Sequence, residues 1–183
     1  MIKKIGTFLT STDVLRISDP CYNKEVWCCG TVKNCEIGEW SAFLIYSDEK
    51  DWGVRVAENI ALFGNISEED AKIILSEKNW KNSDIHVGVD SGQCGIFQDS
   101  KYPIGDTGEY GDELSFYGKC CNLTLTPQQG DVLEFGVVSS SGYGDGSYDC
   151  LIAETSDKVS AIKLVFIGDD EDEESDEEFE EIN

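Results

Sequence analysis

The chain lacks a long hydrophobic run. No apolar stretch approaches the roughly twenty residues that a membrane helix needs. The N-terminal segment MIKKIGTFLTSTDV has lysines but neither a sustained apolar core nor a small-residue cleavage site. No export signal is read there, and the expected location is cytoplasmic. Histidine is nearly absent: His86 is the single imidazole available as a base for a serine or cysteine nucleophile. The C-x2-C spacing of structural zinc sites is absent, although there are eight cysteines. Basic residues are scarce, 14 against 37 acidic ones. That deficit excludes the basic footprint expected of a protein that binds nucleic acid directly. Alternating strand and helix patterns are missing too, which argues against a doubly wound parallel sheet.

What is present is acid. The net charge is −23, and it is unevenly spread. The last sixteen residues, GDDEDEESDEEFEEIN, hold eleven acids and no base, so residues 1–167 carry 26 acids against 14 bases, a net −12. A length of 183 residues with ordinary apolar content suits one globular domain over 1–167. Residues 168–183 have no core-forming pattern and read as a disordered, solvated acidic tail. Without an export signal the thiols are expected to be reduced, behaving as small buried apolar groups.

Along the chain, VLRIS (14–18) alternates as a half-buried strand does and is ended by Asp19-Pro20. Segments 27–32, 40–46 and 52–63 read as further strands. SEEDAKIILSEKNW (67–80) is the one strong helix: Ser67 is a good N-cap, Asp70 stands at the capping-box position, and acids crowd the first turn. IHVGVD (85–90), CGIF (94–97), DVLEFGVVSS, YDCLIAE and VSAIKLVFI are strands again. DELSFYGKCCNLTL reads as a helical turn leading into a strand. The fold class is mainly β (α+β): an antiparallel sheet or β-sandwich with one packed helix over about 67–80.

GVVSSSGYGDGSYD (136–149) resembles a ligand loop at first sight. It lacks the lysine of a phosphate-gripping loop and the G-x-G-x-x-G spacing before a helix, and it is too poor in alternate acids for an EF-hand. Asp145-Gly146 instead suits a two-residue hairpin turn, with Gly142 and Gly144 permitting a bulge beside it. GVDSGQCGIF (88–97) repeats the pattern G-V-x-S before a glycine-containing turn. Two similar hairpins paired in one sheet would explain the echo.

The combination of ISDPCY (17–22), WCCGTV (27–32), WGVRVAE (52–58), VDSGQCGIF (89–97) and VVSSSGYGDGSY (137–148) resembles a family of unknown function from Gram-positive bacteria and their phages. The hallmark of that family is a C-terminal Gly-Tyr-Gly-Asp-Gly-x-Tyr. The resemblance implies a bacterial or phage setting and a predominantly β fold, and brings no activity with it.

Three constellations could carry chemistry. Cys21, one of Cys28 or Cys29, Cys35 and Cys121 could converge on zinc, although the adjacent pairs 28–29 and 120–121 would point to opposite faces of a strand. Asp19, Asp90 and Asp145 each lie beside a turn. Together, and with His86, they could hold a divalent cation such as calcium or support hydrolysis; separately, each would bond its own turn backbone. In the tail, Asp169, Asp170, Glu171, Asp172, Glu173 and Glu174 form a polyanion, and Phe179 adds an apolar anchor. No cofactor is expected, with zinc or calcium as the alternatives. The expected function is a non-enzymatic acidic interaction protein, an anti-defence or immunity-like inhibitor that occupies a basic, nucleic-acid-binding surface of a partner protein. The alternative is a metal-binding domain or hydrolase built on the turn aspartates and cysteines.

Overall fold

A computed structural model describes residues 1–168. Two antiparallel sheets face one another. The larger contains β1 (Ile2–Leu9), β4 (Glu39–Asp48), β5 (Val54–Phe63), β11 (Lys158–Val165), β10 (Gly146–Thr155) and β6 (Lys81–Val89), in that spatial order. The smaller contains β3 (Gly30–Val32), β2 (Leu15–Ser18), β7 (Gln93–Gln98), β9 (Gly136–Ser140) and β8 (Gly130–Leu133). One helix covers each outer face: α1 (Glu68–Glu77) lies on the larger sheet and α2 (Phe116–Thr124) on the smaller. The expected β-sandwich is therefore present, with four layers.

The period-2 alternation of the strands builds these layers directly. In β4, Trp40, Ala42 and Leu44 point between the sheets, while Phe43 points out toward Ala71, Ile74 and Leu75 of α1. The inter-sheet core also takes Phe8, Ile17, Val87, Ile96, Val137 and Leu164, all almost fully buried. On the far side, Phe116 of α2 meets Phe97 and Tyr102 edge-on, with ring centroids 5.3 and 4.9 Å apart. Burying such side chains stabilises the fold by about 1.5–3 kcal/mol each before entropy is counted. The N-cap of α1 forms as its sequence requires: Ser67 Oγ accepts from Asp70 N at 3.1 Å and donates to the Asp70 carboxylate at 2.9 Å.

Several expectations need correction. DELSFYGKCCNLTL does not end in a strand; its second half is α2, capped by Ser115, whose Oγ accepts from Gly118 N at 3.0 Å. DVLEFGVVSS is not one strand but the β8–β9 hairpin, turning at 134–135. The N-terminal segment is β1, an edge strand whose weak alternation hides it. Residues 27–29 are turn rather than strand. The type I′ hairpin turn is not at Asp145-Gly146. It joins β10 to β11 at Ser156-Asp157, both of which have positive φ, 51° and 64°.

The glycine stretch is a corner, but not a hairpin corner. β9 belongs to the smaller sheet and β10 to the larger, so residues 141–145 carry the chain from one sheet to the other. Positive φ falls on Gly142 (60°) and Gly144 (114°). The echoing segment does the same in reverse: 90–92 takes the chain from β6 in the larger sheet to β7 in the smaller. Because β6 pairs with β10 and β7 with β9, the two corners stack on each other. Ser141 N donates to Gly92 O at 3.0 Å, and Gly92 N donates to Asp145 Oδ1 at 3.1 Å. The repeated G-V-x-S pattern marks two sheet-switching corners.

Candidate functional site at the stacked corners

Asp19 ends β2 against these corners and is completely buried. Its carboxylate is fully engaged. Oδ1 accepts from Cys21 N at 2.9 Å and Ser91 Oγ at 2.6 Å, and Oδ2 accepts from Asp90 N at 2.9 Å and Ser91 N at 2.8 Å. The backbone behind it is held as well, since the Tyr102 hydroxyl lies 3.1 Å from Asp19 O and 2.8 Å from Tyr22 O. A buried charge persists only when donors replace its water, and four donors do so here. Asp19 therefore clamps its own turn and the 90–92 corner together.

Above the clamp lies a groove of about 560 Å³. Tyr22, Val26, Trp27 and Cys28 form one wall; His86, Asp90, Asp145 and Ser147 form the other. The two walls touch at Gly88, whose N donates to Cys28 O at 2.9 Å. A Cβ on Gly88 would stand 2.9 Å from Cys28 Cβ and Sγ, so only glycine admits the loop this closely. Asp90 and Asp145 are exposed, and no lysine or arginine lines the groove. Trp27 is 90 % exposed, although tryptophan usually buries its ring. Burial, followed by the neighbouring Asp90 carboxylate, pushes the Tyr22 phenol up, so it stays a neutral donor. Next to the groove on the same corner, Tyr143 packs edge-on to Trp52 with centroids 6.3 Å apart and bonds Glu49 through its hydroxyl.

Four of the residues singled out from sequence, Cys28, His86, Asp90 and Asp145, thus meet in one groove, with Asp19 and Cys21 beneath it. The meeting does not make a nucleophilic centre. His86 Nδ1 is 3.5 Å from Asp149 Oδ1 in a pair whose side chains are 70 % and 58 % exposed, a setting in which an ion pair is weak. The Cys21 thiol is pushed up by burial and then by the Asp19 charge, away from a reactive thiolate.

Cys121 is not in the groove; it lies in α2, where its sulfur accepts from Gln93 Nε2 at 3.3 Å. Cys35 is fully buried and bridged to Val159, and Cys29 donates to Val26 O at 3.0 Å. The strand argument applied to both adjacent pairs fails, since one pair is in a turn and the other in a helix. Among the described residues no three His, Cys, Asp or Glu side chains surround a common point.

Asp169, Asp170, Glu171, Asp172, Glu173, Glu174 and Phe179 lie outside the described residues. Sequence reasoning missed Ser91, Tyr22 and the exposure of Trp27. The one available signal was a tryptophan in a segment, VWCCG, without clean alternation. No family model, curated protein or solved structure matches this chain.

Proposed function

We propose that this protein acts as an acidic interaction protein whose binding role needs no catalysis. It docks its corner groove onto a basic surface of a partner and, as an inhibitor of the anti-defence or immunity type, occupies the surface by which that partner holds nucleic acid. The observation that carries this reading is the composition of the groove: two exposed carboxylates, two aromatic rings and no lysine or arginine. A guanidinium or ammonium group fits such a slot, stacking on Trp27 or Tyr22 and pairing with Asp90 or Asp145. An exposed tryptophan beside charge is the usual anchor of an interface. The net charge of −23 adds long-range attraction and repels competing phosphates.

The test uses a fluorescent arginine-rich peptide and the full chain, titrated at low and high salt. Affinity is expected to fall at least about tenfold as salt screens the field. The triple change Trp27→Ala, Asp90→Asn, Asp145→Asn is expected to weaken binding by a further ten- to hundredfold, about 1.4–2.8 kcal/mol, with the far-UV spectrum unchanged. Salt-independent binding, or full affinity in the triple variant, would overturn the reading.

A further inference from the structure

A second groove is not at the corners. It lies at the other end of β10, about 30 Å away along the strand, and has a volume of about 690 Å³. Leu62, Phe63, Ile66 and Ile74 give it an apolar wall. Three polar atoms of its lining form a triangle. Lys78 Nζ is 2.9 Å from Ser160 Oγ and 3.0 Å from Thr155 Oγ1, and the two hydroxyls are 2.8 Å apart.

The fold builds this triangle deliberately from distant parts. In the β10–β11 pair, Ala153 opposes Ala161 and Glu154 opposes Val159, so Ser160 is the extra residue of a β-bulge. Bulges re-aim side chains, and here the hydroxyl meets the residue that caps α1. Lys78 leaves the helix at that cap, its N–H still bonded to Ile74 O at 3.0 Å. Its amine is met by hydroxyls. Of the acids lining the cavity, Glu36 pairs with Lys158 at 3.9 Å and Glu154 with Lys81 at 2.8 Å, while Glu77 precedes Lys78 on the helix. Burial pulls the Lys78 ammonium below the ordinary lysine value of 10.5.

We propose that Ser160, Lys78 and Thr155 form an amine-assisted nucleophilic centre that hydrolyses acyl esters with an apolar acyl group. A hydroxyl in hydrogen-bond reach of a base, with that base oriented by a third group, is the general arrangement of such centres. Neutral Lys78 Nζ takes the Ser160 hydroxyl proton as Oγ attacks the carbonyl carbon, and the C=O π pair moves onto oxygen. The tetrahedral adduct collapses, the C–O bond to the alcohol breaks, and the alcohol leaves with the proton from Lys78. Water then attacks the acyl-serine, giving its proton to Lys78. The acid departs, and Ser160 Oγ recovers the proton. Thr155 accepts from Lys78 and is a positioning residue. The acyl chain lies on Leu62, Phe63 and Ile74. This centre is independent of the binding groove at the corners, and its test does not involve that groove.

The full, unsubstituted chain is incubated with a biotinylated fluorophosphonate from pH 6 to 10, followed by intact-mass measurement and peptide mapping, with p-nitrophenyl butyrate hydrolysis in parallel. One adduct per chain on Ser160 is expected, at a rate that rises with pH to a midpoint below 10.5. Lys78→Met should slow labelling at least about 100-fold, and Lys78→Arg should fail to restore it because guanidinium keeps its proton. Thr155→Val should slow labelling about tenfold and shift the midpoint of the pH profile, which loss of a purely structural bond would not do. The proposal is overturned if the unsubstituted chain carries no adduct on Ser160, or if labelling there is indifferent to both Lys78 variants.

Discussion

At the Gly146 end of β10 a buried carboxylate, Asp19, is matched by four hydrogen-bond donors. At the Thr155 end a half-buried amine, Lys78, is matched by two hydroxyls. The difference teaches how one sheet can hold charge in two ways. A carboxylate whose acceptor positions are filled by four donors is fixed in place and serves as a structural clamp. Lys78, whose amine meets two hydroxyls among the described residues, loses part of its solvation without full compensation, and burial lowers its pKa below the ordinary lysine value. By the same criterion the exposed carboxylates above the Asp19 clamp are left to face outward.

The contrast breaks first at Asp19. Asp19→Ala strands buried backbone donors and should cost about 4 kcal/mol or more, whereas Ser160→Ala should cost about 1 kcal/mol or less. Urea denaturation followed by tryptophan fluorescence reads both. Equal losses would mean that the clamp is not structural.

Alkaline pH sharpens the comparison through the core between the two ends. Burial pushes the Cys35 and Cys150 thiols up from 9.0 to about 12. Between those values the folded chain keeps protons that the unfolded chain has lost, so stability is expected to fall as pH rises from 9 toward 12. The slope is about 1.4 kcal/mol per pH unit for each thiol. Lys78 acts in the opposite sense: its lowered value means that the unfolded chain binds more protons below 10.5, so its contribution improves as pH rises toward that point. Urea midpoints at pH 7.5, 9 and 10.5 measure the net effect, and a Cys35→Ala, Cys150→Ala variant should flatten the decline.

Two glycines test the corner by itself. Gly88→Ala forces a Cβ to 2.9 Å from Cys28, and should cost about 1–3 kcal/mol and shift the emission of Trp27 as its loop lifts. Gly144→Ala meets nothing within 4 Å and bears only backbone strain at φ 114°, so its cost should be about 1 kcal/mol. A reversed order would show that the loop over β6 is not tightly seated.

Legibility in the sequence followed the range of the interactions. Helix α1 was readable because its cap bond joins residues three apart, Ser67 and Asp70. Strands β4, β5, β7 and β11 were readable because each buries alternate residues on two apolar faces. Helix α2 was missed because KCCNLT carries β-branched and thiol residues whose local preference is neutral. The groove was half legible: Asp19, Asp90 and Asp145 stood out beside turns, but Ser91 did not, since its partner is 72 residues away.

By itself, the sequence determined the acidity, the β-rich class and the positions of most strands, because charge and two-residue alternation are properties of neighbours along the chain. Only the tertiary structure decided that the two glycine corners switch sheets and stack, that Asp19 serves two turns at once, and that Lys78 meets Ser160 across 82 residues. Those outcomes depend on which strands pair and in what register, and pairing between distant segments leaves no local pattern to read.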